Sequence, residues 1–424
     1  MSKKNSSPAG LQALYARVCG LDLHKKLIVA CVRILNAKDG TVQSTLRKFG
    51  TMTADLMELR QWLSEQKVTH VAMESTVIYW QPVFNLFEGH FQLLLVNAQH
   101  LKKVPGRKTD MKDAEWIAQL LQCGLLRPSL VPERKQRELR DLARQRTKLV
   151  QQRNAVNNRI QKVLESANIK LGSVASDVLG ASGRLMIEAL IHGEKDGTVL
   201  AELAQRKLRE KIPQLHRALA GEVTEHHRFL LRELLDQYDF LEHKITRMSK
   251  RLREVAPSPF RAAVEQLDPI PGVAERGAEA VLAETGTDMS RFPTHKHFAS
   301  WAGQCPGNHE SAGKRQSGKP PAANRHLDAV LTEIAHAAVR KKGSYFQAQY
   351  HRVAAHRGKK RAIGAVKHSL LTAVYYMLRD NKPYRDLGAD HFSRVNPQQH
   401  IRYHVRKLQE LGQKVELSPM ADAA

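Results

Sequence analysis

Short apolar runs separated by turns dominate the first hundred residues, which is the pattern of a mixed α/β domain. An amphipathic segment between the third and fourth runs predicts a helix capped by Thr53. The predicted order is β-β-β-α-β-(α)-β-α, with two strands in 18–35, further strands at 41–49, 70–74 and 91–96, and the first helix at 53–63.

A further helix is predicted to begin near Thr109, after a Pro-Gly turn. Asp110 and Asp113 lie three residues apart and therefore share one face of this helix. Taken alone, such a pair is usually an acidic first turn that the helix dipole favours. The apolar residues that establish the helical spacing are Trp116, Ile117, Leu120 and Leu121.

From residue 133 to 164 the chain becomes helical and strongly basic, and a second long helix is predicted at 226–255. Apolar residues recur at heptad spacing in both segments, which indicates coiled-coil packing. The packing partner is either the other helix, in a hairpin within the chain, or a second chain, in a homo-oligomer such as a dimer or tetramer. Alternatively, the helices pack on their own domain without forming a coiled coil. The predicted fold class is α/β plus α, with domains at 15–130, 131–262 (helical, coiled coil) and 263–392 (mainly helical), and a polar tail at 393–424.

The net charge of the chain indicates which class of partner it binds. Its 67 Lys and Arg residues exceed its 42 Asp and Glu residues, which gives a net charge of +25. A polyanion, most commonly nucleic acid, is the expected partner of so basic a protein. No apolar run reaches membrane-spanning length and the N-terminus lacks the apolar core of a signal peptide, so no membrane partner is expected. Four dispersed cysteines without a Cys-x-x-Cys pair favour a reducing, cytoplasmic location, with nucleoid association when the protein is bound to DNA.

Two further carboxylates lie where apolar side chains are expected. Asp22 interrupts an apolar strand, and Glu74 ends a short one. Neighbouring strands could bring this pair together, with the acidic face of the helix carrying Asp110 and Asp113 packed against them. Clustered carboxylates repel one another unless a cation lies among them, and hard oxygen ligands suit Mg²⁺ or Mn²⁺. Such a site supports phosphoryl transfer, whereas each carboxylate taken singly could equally cap a turn or form a salt bridge.

Three blocks around these carboxylates resemble a known family, the DEDD-type insertion-sequence transposases related to the Piv/MooV DNA invertases. The blocks are Gly-Leu-Asp22-Leu-His-Lys, Ala-Met-Glu74-Ser-Thr and Lys-Thr-Asp110-Met-Lys-Asp113-Ala. The resemblance implies a RuvC-like N-terminal domain with an RNase H fold. It also implies that these four acidic residues are catalytic and hold the divalent metal.

The C-terminal region resembles the same family at a second motif. Ser311, in the sequence Glu-Ser-Ala-Gly-Lys, matches the position of the family's nucleophilic serine. Ser317, also followed by Gly-Lys, is a rival in the same segment. The resemblance implies that the serine and the metal-binding carboxylates act in a composite site. Ala323 replaces a glycine of the family pattern and Asp328 replaces a basic residue, and these departures bear on the loop geometry and on the role of Asn324.

Basic residues cluster in a long helix, in the serine segment and near residue 360. Their density favours phosphate contacts over a solvated face, although residues 357–361 taken alone could be a solvated loop, and nearby aromatic residues could add base stacking. A Pro-Gly-Val turn at 271–273 resembles a helix-hairpin-helix, although an ordinary turn between helices is equally consistent. The predicted nucleic-acid-binding residues are Arg140, Arg144, Lys148, Lys314, Arg315, Lys319, Lys359, Lys360 and Arg361.

The sequence therefore predicts a DNA transposase or recombinase that excises an insertion sequence and inserts it at a specific site. The resemblance further implies a noncoding bridge RNA that pairs with donor and target DNA. Two other classes are a RuvC-like structure-selective nuclease that uses only the carboxylates, and a non-catalytic nucleic-acid-binding protein built on a coiled coil. The serine motif, which hydrolysis does not need, argues against the first, and the four carboxylates argue against the second.

Overall fold

A computed structural model describes residues 13–75, 78–98, 101, 113–307, 309–318, 320, 323–395 and 397–418. Two of the predicted site residues, Asp110 and Lys319, lie outside the described residues. For two others, Ser311 and Arg315, the structure describes the backbone alone. The chain forms two compact units, which divide between Pro132 and Glu133.

The first unit is built on a five-stranded sheet, and its elements follow the predicted order. They are β1 (Arg17–Leu23), β2 (Ile28–Leu35), β3 (Val42–Phe49), α1 (Thr53–Glu65), β4 (His70–Glu74), α2 (Trp80–Phe87), β5 (Gln92–Val96) and α3 (Asp113–Gln122). The strand order is β3-β2-β1-β4-β5, with β2 antiparallel to both β1 and β3, and with β4 parallel to both β1 and β5. The predicted cap of α1 is wrong, because Met52 precedes the helix and its N–H donates to the Asp55 carboxylate at 3.0 Å.

Alternation along the strands separates the two faces of this sheet. Cys19 and Leu21 belong to an apolar cluster that includes residues of α1 and α2. Val18 belongs to a second cluster that includes Trp116 and Ile117 of α3. Because side chains alternate between the faces of a strand, Asp22 lies on the face covered by α3. The same reasoning applies to β4, where Ala72 packs in the α3 cluster, so Glu74 lies on that face too.

Two long helices organise the second unit. They are α4 (Arg134–Ser166) and α9 (Glu225–Val255), and between them lie α5 (Leu171–Val174), α6 (Ala181–Ile191), α7 (Gly197–Glu202), a 3₁₀ helix (Arg206–Lys211) and α8 (Ile212–Leu219). One apolar cluster contains Leu149, Val156, Ile160 and Leu164 of α4 with Leu231, Leu235, Leu241 and Ile245 of α9. Residues of α4 and α9 therefore share one apolar core within a single chain, and coiled-coil packing stays a prediction.

The rest of the second unit is helical apart from one small hairpin. Its elements are α10 (Ser258–Leu267), α11 (Ala274–Thr285), α12 (His295–Trp301), β6 (His309–Ser311), β7 (Lys314–Ser317), α13 (Arg325–Ala338), α14 (Tyr345–Arg357), α15 (Lys359–Asp380), α16 (His391–Val395) and α17 (Pro397–Glu410). Their core also includes Leu139 and Ala143, so the start of α4 packs with the C-terminal helices. In the Pro-Gly-Val turn between α10 and α11, Gly272 has a φ of +81°, and a Cβ there would lie 2.5 Å from the Ala338 nitrogen of α13. This glycine is therefore required by packing.

Candidate functional site

Asp22 and Glu74 lie near the carboxyl ends of adjacent parallel strands. The register of β1 and β4 pairs Leu21 with Met73, and one further step brings Asp22 beside Glu74. Both side chains lie on the α3 face of the sheet, as the alternation requires. In open α/β sheets, ligands bind outside the carboxyl ends of the strands, so this edge has the position of a functional site.

Gly20 allows α3 to approach this edge closely. A Cβ at Gly20 would lie 2.4 Å from the Ala114 carbonyl oxygen and 2.4 Å from the Ala118 nitrogen. Only a glycine in β1 and small residues in α3 permit such an approach between backbones. Asp113 is the residue before Ala114 and begins the described part of α3. The contact therefore keeps the first turn of α3 close to the strand that carries Asp22.

The donors at this edge are oxygen atoms, the kind that Mg²⁺ and Mn²⁺ prefer. His24 lies beside them, with its Nε2 3.1 Å from Asp22 Oδ2, and the Asp22 side chain is 21% exposed. Among the described residues, which exclude Asp110, no three acidic, histidine or cysteine side chains converge as a metal site. The structure thus brings two of the four predicted ligands together beside the helix of a third, and the complete quartet stays a prediction.

The predicted serine segment forms a β-hairpin, which sequence reasoning did not identify. Strands β6 and β7 are antiparallel, and Ser311 pairs with Lys314 across a two-residue turn. Both turn residues have positive φ, +50° at Ala312 and +73° at Gly313, as in a type I′ turn. The usual sequence signal for this turn is Asn-Gly, and Ala-Gly lacks it. Ser311 is therefore the last strand residue before a tight turn.

Asp328, which departs from the family pattern, and Asn324 both form hydrogen bonds near the start of α13. Asp328 accepts hydrogen bonds from Lys367 Nζ at 2.6 Å and from Gln304 Nε2 at 2.8 Å. Burial alone would raise the pKa of Asp328, but these two donors outweigh it and the pKa is lowered. Asn324 is the N-cap of α13, and its side-chain oxygen accepts from two backbone N–H groups. Asp328 stands where the family pattern has a basic residue, and its negative charge is paired with Lys367 of α15.

Glu284, at the end of α11, is a buried carboxylate that sequence reasoning missed. Arg144 donates to both of its oxygens, at 2.6 and 2.8 Å, and Arg140 lies 3.2 Å away. Asn324 Nδ2 donates to the same carboxylate at 2.5 Å. Burial alone would raise the pKa of Glu284, but the two arginines and Asn324 outweigh it and lower the pKa. Both arginines were predicted to bind nucleic acid, and each has this partner within the chain.

Two family models match the chain. A DEDD transposase model matches residues 19–169, and the model of the IS116/IS110/IS902 transposase family matches residues 264–351. These matches span the carboxylate edge and the serine hairpin, and together they cover more than half of the chain. The chain belongs to the IS116/IS110/IS902 transposase family. It is a DNA transposase.

Two proteins that are similar to this transposase are also named as transposases. It is 28% identical over 287 residues to a family 20 transposase of Pseudomonas aeruginosa, an alignment that covers 67% of this chain and 75% of the relative. It is 27% identical over 290 residues to a transposase of Sinorhizobium fredii, with 66% of this chain and 65% of the relative covered. Within the described ranges of the transposase, no helix is both long and apolar enough to span a membrane.

A basic cleft of about 1580 Å³ opens beside the base of the serine hairpin in this transposase. Ser317 and Gly318 of the hairpin line it, together with Asp328 of α13. Three of the predicted nucleic-acid-binding residues are exposed at the first turn of α15 and line the same cleft. The cationic lining residues are Arg325, Arg357, Lys359, Lys360, Arg361 and Lys367.

Proposed function

We propose that this transposase excises an insertion sequence and inserts it at a specific site through a covalent serine–DNA intermediate. Carboxylates would hold Mg²⁺ or Mn²⁺ for the reaction, and a noncoding bridge RNA would select the DNA. The observation that carries the proposal is the strand register that brings Asp22 beside Glu74 under α3. The strand order β3-β2-β1-β4-β5, with three antiparallel strands followed by two parallel ones, supports the RuvC-like assignment of this unit.

The metal-binding part of the proposal rests on the chemistry of the donors. Asp22, Glu74, Asp110 and Asp113 would hold the metal through carboxylate oxygens, which fit a hard divalent cation. The bound metal would supply Lewis-acid stabilisation of charge on a phosphoryl group. The chain itself fixes the strand ends through the sheet register, and fixes the start of α3 through Gly20. His24, hydrogen-bonded to Asp22, would help to orient that carboxylate.

Mn²⁺ titration of the full chain by calorimetry tests the metal site. Asp22→Asn and Asp113→Asn should each weaken Mn²⁺ binding at least tenfold and abolish strand exchange, with no change in thermal unfolding. Asp39→Asn is the matched control, because Asp39 is an exposed loop carboxylate that accepts hydrogen bonds from Thr41 and lies outside the proposed site. Strand exchange that survives a chelator, or tight Mn²⁺ binding by Asp22→Asn, would contradict the proposal.

Ser311 is the proposed nucleophile. Its hydroxyl oxygen forms a bond to a DNA phosphorus atom and gives up its proton, while the bond from phosphorus to one deoxyribose oxygen breaks and that oxygen takes up a proton. The serine phosphodiester conserves the bond energy, so a hydroxyl of another DNA end can reverse the step without ATP. A serine hydroxyl is a weak nucleophile and needs activation. Lys314, which pairs with Ser311 across the turn, could offset charge on the phosphoryl oxygens.

A nicked suicide substrate separates this chemistry from hydrolysis. Wild-type protein should form a DNA adduct that mass spectrometry locates on Ser311, and Ser311→Ala should form none. Ser317→Ala is the internal control, because Ser317 is the other serine of the hairpin that precedes Gly-Lys. An adduct that persists in Ser311→Ala and vanishes in Ser317→Ala would reassign the nucleophile. Cleavage by wild type without any adduct would favour the hydrolytic nuclease.

The cleft beside the hairpin is the proposed nucleic-acid interface. Lys359, Lys360 and Arg361 form the first turn of α15, where the helix dipole disfavours positive charge. A bound phosphate would relieve this local cost, and the N-terminus of the helix would itself attract the anion. Of the other predicted contacts, Lys148 and Lys314 are exposed, whereas Arg140 and Arg144 would first have to leave Glu284.

Salt dependence tests this interface. A plot of log affinity against log salt concentration has a negative slope. Neutralising Lys359, Lys360 and Arg361 together should make that slope shallower by about three, because each phosphate contact contributes about 0.9. The control neutralises Arg247, Lys250 and Arg251, three exposed cations of α9, and should leave the slope nearly unchanged. Equal effects of the two triple variants would mean that binding depends on net charge alone.

The bridge RNA and the oligomer are the remaining parts of the proposal. A structured RNA from the DNA flanking the gene should bind more tightly than an unrelated RNA of equal length, and equal affinity would contradict guidance by RNA. A dimer or tetramer is proposed through α9, whose Phe229 and Phe240 are 55% and 59% exposed and lie on one helix face. Sedimentation of the full chain measures the assembly.

A further inference from the structure

The segment that carries Ser311 is tied at both ends to the first turn of α13. Before the hairpin, the amide of Gln304 donates to Asp328 at 2.8 Å. After the hairpin, Asn324 ends the segment and caps α13 through its side-chain oxygen, at 3.0 and 3.3 Å from two backbone nitrogens. At the hairpin tip, no described atom lies within 4 Å of a Cβ built on Gly313, whereas the two ends of the segment have these contacts with α13.

Asn324 uses both ends of its amide. The oxygen caps α13, and the nitrogen donates to Glu284 at 2.5 Å. An aspartate could make the cap but would have no donor for Glu284, and a serine is shorter and could not span both partners. The asparagine therefore joins the start of α13 to the end of α11 through a single side chain.

Glu284 in turn joins this point to α4. Its side chain is 3% exposed and accepts from Arg144 in a bidentate pair, with Arg140 alongside. Such forked pairs fix geometry as well as contributing energy. The contact at the other end of the segment is more open, since the Asp328 side chain is 51% exposed. Glu284 is thus the stiffer of the two anchors.

We infer that Glu284 is a positioning residue for the serine hairpin, acting through Asn324. It holds the C-terminal end of the hairpin segment against the long helix α4, so that the position of Ser311 follows the position of α4. The inference rests on the proposed role of Ser311. A displacement of about 1 Å at a reacting group can reduce rate about a hundredfold, so loosening this anchor should slow adduct formation without weakening DNA binding.

The test uses two conservative variants of the full chain. Asn324→Ser keeps a good helix cap but loses the donor to Glu284. Glu284→Asp keeps the charge but withdraws the carboxylate by one methylene. Thr224→Ser is the matched control, because Thr224 caps α9 in the same way and has no contact with Glu284 among the described residues. Backbone amide exchange of residues 309–318 and the adduct rate on saturating nicked DNA are both measured.

Both anchor variants should show faster exchange across 309–318 and an adduct rate about ten- to a hundredfold lower, with DNA affinity within about twofold of wild type. The control should match wild type in all three measurements. Unchanged exchange in both variants, or a lower adduct rate matched by an equal loss of affinity, would overturn the inference. If wild type forms no adduct, the serine chemistry fails, and amide exchange alone decides whether Glu284 anchors the hairpin.

Discussion

The carboxylate edge of the first unit and the serine hairpin of the second are held in different ways. Asp22 and Glu74 belong to regular strands, so their separation follows from a hydrogen-bonded register and from a helix seated on Gly20. Ser311 ends a short strand before a two-residue turn, and its segment is tied through side chains such as Asn324 and Gln304. The first arrangement tolerates little displacement. The second can shift when one of these side-chain contacts changes.

The largest effect is expected at Gly20. Gly20→Ala should lower the free energy of unfolding by about 3 kcal/mol, because the new Cβ meets backbone atoms of α3 that cannot move without separating helix and strand. Thermal and denaturant unfolding measure the loss. The control is Gly364→Ala, a helical glycine of α15 with no described atom within 4 Å of the new Cβ, which should gain about 0.5 to 1 kcal/mol. If Gly20→Ala leaves the free energy of unfolding unchanged, α3 and β1 can separate without cost, and the carboxylate edge is held no more rigidly than the serine hairpin.

Sequence patterns predict the first region well because its structure is local and periodic. The apolar runs predict β1 and β4, and the alternation of side chains along a strand then gives the face on which Asp22 and Glu74 lie. The cap of α1 was wrong because a cap depends on which nearby side chain reaches the backbone, here Asp55 rather than Thr53.

The second region was predicted less completely, for a related reason. Glu284 meets Arg144 and Asn324 from positions 140 and 40 residues away, and no local pattern reveals such a contact. Arg144 was therefore predicted to bind nucleic acid from its charge alone. The hairpin was missed because its strands are short and its Ala-Gly turn is an unusual choice.

The next largest effect is expected at Glu284. Glu284→Gln should lower the free energy of unfolding by about 2 kcal/mol at neutral pH, because two partly buried arginines lose their charged partner. Since the folded pKa of Glu284 is lowered, its contribution is present above the unfolded pKa and is lost as pH falls through the folded pKa. The difference between wild type and variant should therefore shrink as unfolding is measured from pH 7 down to below about pH 4. A difference independent of pH would mean that packing, not charge, holds this anchor.

A smaller effect is expected at the other anchor. Lys367→Met should cost about 1 kcal/mol, because Asp328 keeps Gln304 but loses its ion pair, and the methionine retains most of the apolar stem. Lys342→Met, at an exposed position after α13, is the control and should be neutral. If Lys367→Met lowers the free energy of unfolding more than Glu284→Gln does, the Asp328 contact is the stronger anchor of the hairpin segment.

The smallest effect is expected in the turn itself. Ala312 has a φ of +50°, a conformation that asparagine adopts more readily than alanine, and Asn-Gly is the preferred pair for a type I′ turn. Ala312→Asn should therefore stabilise the hairpin by about 0.5 kcal/mol, visible as slower amide exchange across 309–318 with no change in global unfolding. Ala312→Val should do the opposite, because a β-branched residue is strained at positive φ. If valine protects the hairpin as well as asparagine does, the turn adds nothing to its stability, and the side-chain anchors alone hold the serine segment.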